Sequence, residues 1–356
     1  MTIGIEVGAG QVTLSSPEGI KTHAFTASDD LLTKIAAGLP LIEVASDKCT
    51  LHSAAERFAQ IIASALDGNA DVAAGDRAES DTDRVGVAVP GWWSPRALEN
   101  IKSALTDLEI PALLINDAEA AAAQWNHENG KLSDTVAVIS LRSKSTSIVL
   151  VDVDGAKPRA QLTPTFSHDQ GGSDLDAMLL RHLVSGLNDM GAGIDISDAS
   201  VIQSARLAID ECRELRESLS ASNAVSAQLT IAGSSHNIRI VRSELEEIAA
   251  PWIQATVRQL QAAIAQTARP IESTLLVGGL AAMPLISQQI SAELGLTILV
   301  PPAPHVFVAK GARLLMQSEI DQSPTWRSRW KKWQAELERR LAIVRSPHSV
   351  EGITNE

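Results

Sequence analysis

The sequence predicts a two-lobed α/β protein whose lobes are related to each other. A strand, a tight turn and a second strand begin near residue 3, where apolar residues alternate with glycine and glutamate. The same unit recurs near residue 136, and helices follow it both times. At 356 residues the chain is long enough for two hydrophobic cores. We therefore expect a mixed sheet in each lobe and a cleft between the lobes.

The composition narrows the classes of protein that fit. The formal net charge is −13, from 43 acidic and 30 basic residues, so we expect no nucleic-acid partner. The two cysteines, Cys49 and Cys212, argue against a disulfide framework and indicate a reducing compartment. We expect no signal peptide, and no apolar run approaches the ~20 residues of a membrane span. These features favour a cytoplasmic protein.

Hydrophobic periodicity divides the first half of the chain into strands and helices. Period-two alternation predicts strands, and apolar residues at intervals of three and four predict helices. The composition turns acidic, small and polar over residues 67–83, which is typical of a loop. The predicted strands are 3–7, 11–14, 85–89 and 113–115, and the predicted helices are 51–66, 98–108 and 117–125.

The second half repeats this alternation with longer helices. The strands at 136–141 and 146–153 are joined by the turn Arg142-Ser143-Lys144-Ser145. A strand at 274–277 opens onto Gly278-Gly279, and Lys310-Gly311-Ala312 begins the last helix of the lobes. Further strands are predicted at 227–231 and 238–240, and further helices at 175–187, 199–219, 243–266 and 284–294.

Seven segments in a fixed order carry a family resemblance over roughly residues 1–316. They are IGIEVGAG, VGVAVPGWW, INDAEAAAAQW, DQGGSDLDAMLLRHLV, ECRELRESLSAS, LLVGGLAAMP and PHVFVAKGARLL. Together they resemble the ATPase domain of the seventy-kilodalton heat-shock chaperones, in the actin, hexokinase and chaperone superfamily. The resemblance implies a two-lobed actin-like ATPase fold with duplicated ribonuclease-H-like lobes. It bears on the fold more than on the activity.

The resemblance also sets the expected domain boundaries. The stretch 26–84 is short for the family's outer subdomain on the first lobe, which carries a catalytic lysine, and we find no counterpart of that lysine. We expect the peptide-binding domain of the chaperones to be lacking. The expected units are lobe I (1–134), lobe II (135–310), a closing helix of lobe I (311–322), a basic helix (323–346) and a disordered tail (347–356).

Carried over position by position, the resemblance implies a changed ATPase site. The family's first-loop aspartate becomes Glu6 and its water-positioning glutamate becomes Asp117, which are the catalytic candidates if the site is active. The second phosphate loop loses two aspartates and three glycines, and residues 140–147 read SLRSKSTS. Fewer carboxylates weaken a magnesium site, and side chains on a phosphate turn prevent close approach.

The turn itself has two interpretations. Arg142, Lys144 and Ser145 form either an anion site, in which fixed positive charge replaces a metal ion, or a solvated turn, which we expect. On the adenosine side the family's glutamate aligns with Arg213, and its serine and arginine align with Leu280 and Ala282.

Six glycines are weak candidates for cofactor binding. They fall in segments that resemble phosphate and adenosine loops, but tight strand-to-helix turns need glycine as well. No histidine pair has metal-ligand spacing, so no metal is expected. The six are Gly8, Gly10, Gly171, Gly172, Gly278 and Gly279.

The stretch after the lobes is predicted to be a basic amphipathic helix. Residues 326–345 hold seven basic and two acidic residues, a net charge of +5 in a chain of −13. Three alternatives fit: a helix packed on the acidic body, a helix bound in a groove of a protein partner, or one lying on an anionic membrane surface. One face carries Trp326, Trp330, Trp333, Leu337 and Leu341.

Two functions from different classes fit these observations. The first is a pseudo-ATPase that needs no cofactor and acts as a scaffold or regulator, binding proteins through its lobes and its basic helix. The second is a chaperone-like regulator that binds ATP or ADP at a modified site and hydrolyses ATP with Glu6 and Asp117. A sugar or acyl kinase fits less well, because no catalytic aspartate follows the glycines of the first lobe.

Overall fold

The chain folds around two mixed sheets, each an antiparallel strand pair extended by parallel strands. The fold is seen in a computed structural model. It describes residues 2–8, 11–25, 31, 34–35, 40–45, 48–68, 84–132, 135–153, 157–161, 166–168, 170–189, 192–195, 199–231, 233–267 and 270–322.

Fifteen strands, eight α-helices and a short 3₁₀-helix (Gly279–Ala282) lie in this part of the chain. The strands are β1 (Thr2–Val7), β2 (Gln11–Ser16), β3 (Gly19–Ala24), β4 (Pro40–Ala45), β5 (Lys48–Ser53), β6 (Arg84–Val89), β7 (Ala112–Asn116), β8 (Thr135–Leu141), β9 (Thr146–Asp152), β10 (Arg159–Ala160), β11 (Phe166–His168), β12 (Ala224–Ile231), β13 (Ser234–Val241), β14 (Ile271–Val277) and β15 (Thr297–Leu299). The helices are α1 (Ala54–Gly68), α2 (Pro95–Asp107), α3 (Asp117–Asn129), α4 (Gly172–Asp189), α5 (Ala199–Ala221), α6 (Arg242–Ala265), α7 (Pro284–Leu294) and α8 (Phe307–Gln322).

The two sheets have the same strand order, which confirms the predicted repeat. The first runs β3-β2-β1-β6-β7 and the second runs β10-β9-β8-β14-β15, with β11 also paired to β9. In each, the first two strands of the unit are antiparallel, as in β1–β2 and β8–β9. Parallel strands then extend the sheet, β6 beside β1 and β14 beside β8. The hairpins β4–β5 and β12–β13 form separate two-stranded sheets.

Strand alternation separates an outer face from an inner face in each sheet. In β1, Ile3, Ile5 and Val7 join the core formed with α1 and α2. In β8, the odd-numbered Ala137, Ile139 and Leu141 join the core formed with α4 to α7. The even-numbered side chains point the other way, because successive strand residues face opposite sides. Those inner faces meet a third core that contains residues of α3 and α8.

Small residues let the helices approach the inner faces closely. α8 packs on the first sheet, α3 packs on the second, and the two helices pack on each other. A Cβ added at Gly4 would lie 2.0 Å from the carbonyl oxygen of Ala309, and one at Gly311 would lie 1.9 Å from that of Ala120. Only glycine fits where backbones come this close. The order first sheet, α8, α3, second sheet therefore depends on these glycines.

The differences from the predicted elements have local causes. The last helix begins at Phe307 rather than at Lys310, and α1 begins at Ala54, because β5 occupies residues 48–53. β3, β4, β5, β10, β11 and β15 were not predicted. β3 is a sheet edge whose residues are mostly exposed and lack apolar alternation. The predicted loop at 67–83 begins inside α1, which continues to Gly68.

Some predictions concern residues that the structure does not describe. Residues 69–83, the basic helix at 323–346 and the tail at 347–356 lie outside the described residues. Within the described ranges, no helix is both long and apolar enough to cross a membrane.

Gly311→Ala tests the close approach of α8 to α3. The added Cβ would lie 2.4 Å from the carbonyl carbon of Ala120, so the helices must separate. We expect the free energy of unfolding, measured by urea denaturation, to fall by roughly 1–3 kcal/mol.

Gly186→Ala in α4 is the matched control for this prediction. Its added Cβ meets nothing within 4 Å, and alanine is the better helix former, so we expect a neutral or slightly stabilising effect. If Gly311→Ala were as stable as this control, the close packing of α8 on α3 would be contradicted.

Candidate functional site

The first side chain of the site is Glu6, on the inner face near the end of β1. Glu6 pairs with Thr13 on β2 and with Ala88 on β6. Ser140 holds the corresponding position of the second sheet, one residue before the end of β8, where it pairs with Ser147 and Val277. The repeat therefore directs one side chain from each sheet toward the space between them.

The second carboxylate, Asp117, begins α3 and is fully buried. Asn116 caps the helix, since its side-chain oxygen accepts hydrogen bonds from the backbone amides of Ala118 and Glu119. One oxygen of Asp117 accepts from the amides of Gly91 and Ala118, at 3.0 and 2.9 Å. The other accepts from the hydroxyl of Ser140 at 3.1 Å. A buried carboxylate needs such donors, because an unpaired charge there is very costly.

Arg142 lies between the two carboxylates, and the expected solvated turn is wrong for this residue. Its Nη2 atom is 2.8 Å from Asp117 Oδ2 and 3.5 Å from Glu6 Oε1. The side chain is only 10% exposed, compared with 13% for Glu6 and none for Asp117. Position 142 continues the even-numbered, inner-facing series of β8, so the guanidinium extends into the cleft rather than into solvent. We call Glu6, Asp117 and Arg142 the ion cluster.

Burial changes the protonation of the ion cluster. It raises the pKa of Glu6 to about 7, an effect that Arg142 opposes and Asp117 reinforces. The pKa of Arg142 is raised further above its usual value, because attraction to Asp117 and Glu6 outweighs desolvation. As the pH falls below about 7, Glu6 takes up a proton, and the guanidinium keeps its closer contact with Asp117. The positive charge beside these two acids is supplied by a side chain of the chain itself.

The other two candidates of the turn, Ser145 and Lys144, differ in burial and in their contacts. Ser145 is buried and its carbonyl oxygen accepts a hydrogen bond from the Arg142 amide at 3.0 Å, which closes the turn. Lys144 is partly exposed, and within the described residues it makes no ion pair. The structure therefore brings Arg142 to the carboxylates and leaves Lys144 at the edge of the turn.

The start of α4 holds this turn in place. The carbonyl oxygens of Arg142 and Ser143 accept hydrogen bonds from the amides of Gly172 and Ser173, at 2.9 and 2.8 Å. The amide of Gly171 donates to the side chain of Asp174 at 2.7 Å. A Cβ at Gly171 would lie 2.4 Å from the Arg142 carbonyl oxygen. Gly171 is thus explained by packing, and the three amides at 171–173 are all bonded within the protein.

The glycines after β14 have a similar structural explanation. Gly278 has φ +92°, and an added Cβ would lie 2.3 Å from the carbonyl oxygen of Leu141. Its amide donates to the carbonyl of Pro304 at 2.9 Å. At Gly279, by contrast, an added Cβ meets nothing within 4 Å. An added Cβ at Gly172 would contact Leu280 at 3.4 Å, so the loops on the two sides lie next to each other.

A second buried ion pair joins α4 to α5, the helix that corresponds to the adenosine-side segment. Asp176 is fully buried, and its two oxygens lie 2.6 and 3.4 Å from Nε and Nη2 of Arg216. Arg213, which is partly exposed, lies 3.7 Å from the same carboxylate. Arg216 therefore uses its guanidinium inside the protein.

The remaining candidates are placed as follows. The amide of Gly8 donates to the carbonyl of Gln11 at 2.8 Å, which closes the β1–β2 turn. Gly10 and the five apolar residues of the basic helix lie outside the described residues. Among the described residues, no three histidine, cysteine or acidic side chains gather as they would around a metal ion.

Comparison with known proteins decides the family. A family model described as Hsp70 protein matches residues 31–323, most of the chain. This chain belongs to the Hsp70 family. The α/β fold with two mixed sheets agrees with that assignment and with the actin-like ATPase fold expected from the sequence.

Relatives of this Hsp70-family chain are distant in sequence. A chaperone protein HscA homolog from Shewanella denitrificans is 27% identical over 243 residues, 67% of this chain and 38% of the relative. Heat shock protein SSC3, mitochondrial, from Saccharomyces cerevisiae is 28% identical over 236 residues, 64% of this chain and 36% of the relative. Chaperone protein DnaK from Buchnera aphidicola is 26% identical over 238 residues, 64% and 37% of the two chains. The match thus spans under two-fifths of each relative.

Sequence reasoning named the carboxylates of this Hsp70-family site but missed their neighbours. Ser140 was noted only as a lost aspartate, yet it donates to Asp117. Arg216 was not singled out, because its partner Asp176 is 40 residues away and no local pattern joins them. The signal available in the sequence was strand alternation, which places positions 138, 140 and 142 on one face of β8. Alternation alone does not tell which face of the strand borders the cleft.

The pH dependence of stability tests the burial of Glu6. Because its pKa rises from 4.5 to about 7 in the folded protein, the stability that it contributes is full below pH 4.5 and is lost as the pH rises through 7. Glu6→Gln removes this loss. Between pH 5 and 8 we expect the free energy of unfolding of the variant to gain roughly 1–3 kcal/mol relative to the wild type.

Urea denaturation at several pH values measures this difference. Glu18→Gln is the control, because it changes an exposed carboxyl in the β2–β3 turn, and its curve should stay parallel to the wild type's. A constant difference between Glu6→Gln and the wild type over this range would show that Glu6 titrates as it does in water.

Proposed function

We propose that this protein is a pseudo-ATPase of the Hsp70 family that acts as a scaffold or regulator by binding other proteins. The observation that carries the proposal is the position of Arg142, 2.8 Å from Asp117 and 3.5 Å from Glu6. Those are the two carboxylates that the family resemblance assigns to magnesium and to the attacking water. A fixed side-chain cation lies against both of them.

The residues of this site do not suit magnesium. Mg²⁺ requires oxygen ligands in near-ideal octahedral geometry, and a guanidinium offers only donors and positive charge. Asp117 already accepts hydrogen bonds from Gly91, Ala118 and Ser140 in addition to its pair with Arg142. A divalent cation would have to displace Arg142 and face its charge at short range.

The phosphate side of the cleft also disfavours nucleotide binding. Helix N-termini bind phosphate through free backbone amides. At the start of α4 the amides of Gly171, Gly172 and Ser173 are bonded to Asp174 and to the carbonyls of the turn. The turn also presents the side chains of Arg142, Ser143 and Lys144 where the family has glycines. A phosphate group would have to replace these bonds in order to bind.

The adenosine side offers further support. Arg216, on the helix that resembles the adenosine-side segment, is paired with buried Asp176. Breaking such a buried pair costs about 3–5 kcal/mol, so Arg216 is not free for a nucleotide. Leu280 replaces a polar residue of the family's adenosine loop and is buried. The pairing of Arg216 and the burial of Leu280 both disfavour nucleotide binding.

One observation favours a second candidate function, binding of a nucleotide or another anion without a metal ion. The Nη1 atom of Arg142 is buried, and among the described residues it has no hydrogen-bond partner. An unpaired buried donor is costly, and an anionic oxygen would satisfy it. Since Asp117 and Glu6 already lie against the same guanidinium, this donor alone provides a weak site.

Calorimetric titration with ATP and with ADP, each with and without Mg²⁺, separates the two functions. For the pseudo-ATPase we expect no micromolar binding in any arm and no phosphate release above the buffer rate, because the charge of the metal is replaced by Arg142. Binding that is equal with and without Mg²⁺, and lost in Arg142→Met, would instead support the second candidate. Micromolar Mg²⁺-dependent binding, with turnover abolished by Glu6→Ala, would refute the pseudo-ATPase.

Protein binding is proposed from the family and from the charge pattern. The matched relatives are named as chaperone or heat shock proteins, which makes protein partners the natural proposal. The basic segment at 323–346 begins directly after α8 ends at Gln322. We propose that its apolar face binds a protein partner, and that an anionic membrane surface is the alternative.

Removal of residues 323–356 tests this part of the proposal. The cut falls after α8 and removes no residue of the two sheets or their helices. We expect affinity capture from cell lysate to lose most of its specific partners with the truncated chain. A full-length variant with Trp326, Trp330 and Trp333 changed to alanine keeps the charge, and should lose the same partners.

Two outcomes would contradict a protein-binding segment. One is an unchanged set of captured proteins after truncation. The other is binding to vesicles of anionic phospholipid that is lost on truncation while the captured proteins stay the same, which would assign the segment to a membrane surface.

A further inference from the structure

The ion cluster joins parts of the molecule that belong to different sheets. Glu6 stands on β1 of the first sheet, and Arg142 follows β8 of the second. Asp117 lies where the chain passes from the first sheet to the second, because it follows β7 of the first sheet and begins α3, which packs on the second. The Asp117 carboxylate is held from both sides, by Gly91 after β6 and by Ser140 and Arg142 of the second sheet.

We propose that the ion cluster is a clasp that holds the two sheets together at the cleft in the absence of any nucleotide. This inference rests on the proposed function for its site and extends it to the regulation of conformation. The lobes then keep one closed arrangement, and whatever breaks the pair between Arg142 and the carboxylates releases them. Closure is thus set by side chains of the chain itself.

The position of the clasp explains why it would limit opening. The layers are already joined along α3 and α8, where an added Cβ at Gly311 would lie 1.9 Å from the carbonyl oxygen of Ala120. Asp117 lies three residues before Ala120 on α3, so the clasp adds a polar attachment beside this contact, at the carboxyl ends of β1 and β8. Separating those strand ends requires Arg142 to leave Glu6 or Asp117. Opening also exposes a buried pair and leaves Asp117 without its cation, which is unfavourable.

The turn that carries Arg142 is rigid enough to transmit this constraint. Its backbone is bonded to the start of α4 at both Arg142 and Ser143, and the hydroxyls of Ser143 and Ser173 lie 2.7 Å apart. The hydroxyl of Thr146 donates to the carbonyl of Gln170 at 3.0 Å. The backbone that carries Arg142 is therefore fixed to the second sheet and to α4. A displacement of this sheet relative to the first would displace Arg142 with it.

Spin-label distance measurements test the clasp in the full chain. Labels on Glu18→Cys in the β2–β3 turn and Ser234→Cys at the tip of β12–β13, both exposed, report the distance between the lobes in a Cys49→Ser background. Without nucleotide we expect one narrow distribution in the wild type, unchanged by Mg²⁺-ATP. Arg142→Met should broaden it toward longer distances, with the ratio of open to closed molecules raised on the order of tenfold or more.

Lys144→Met is the matched control, because it removes a positive charge from the same turn but not from the clasp. Its distribution should match the wild type's. Asp117→Asn is the second variant, in case Arg142→Met does not fold, because it removes the anion nearest to Arg142 and should broaden the distribution in the same direction. Arg142→Lys keeps the charge and should lie between the wild type and Arg142→Met.

Several results would overturn the clasp. One is a distribution for Arg142→Met, or for Asp117→Asn if the first does not fold, that is identical to the wild type's. Another is a broad wild-type distribution that narrows only with Mg²⁺-ATP. A third is equal broadening by Lys144→Met.

The outcomes for the clasp and for the proposed function are distinguishable. A wild type that hydrolyses ATP while its distance distribution stays narrow, and broadens only in Arg142→Met, would refute the pseudo-ATPase and retain the clasp. A wild type that binds no nucleotide, with Arg142→Met unchanged in distance, would refute the clasp and leave the proposed function standing.

Discussion

The guanidinium of Arg142 between Glu6 and Asp117 is the interaction on which the cleft depends. It places one positive charge among two buried acidic groups, and the backbone of its turn is bonded to the start of α4. Burial raises the pKa of Glu6, so this acid takes up a proton more readily than an exposed glutamate does. A site that would otherwise need an external cation is thus balanced by the chain.

The scaffold around the ion cluster depends on a second constraint, which is the close approach of α3 and α8 to the sheets and to each other. Glycines at positions 4, 86 and 311 leave room for backbone atoms that a side chain would displace. A third core with several alanines of α3 then joins the two sheets through α3 and α8. Because the layers are this close, the ends of β1 and β8 face each other across a short distance, which a single arginine can span.

The same glycines illustrate why a retained motif is weak evidence for a retained activity. Gly171 and Gly278 lie in segments that resemble phosphate and adenosine loops. At each of them, however, an added Cβ would lie less than 2.5 Å from a carbonyl oxygen of the chain. The fold requires them whether or not a ligand binds. Membership of the Hsp70 family follows from the match over residues 31–323, whereas the chemistry depends on side chains that differ from the family's pattern.

The sequence by itself determined the repeated strand units, most of the helices and the family, because these depend on periodicity and on residue order along the chain. It missed β3, an edge strand without apolar alternation, and it placed Arg142 in solvent. Only the tertiary structure decided that Arg142 meets Asp117 and Glu6, 25 and 136 positions earlier in the chain. The face of β8 that borders the cleft is set by packing against α3, and local sequence carries no record of that packing.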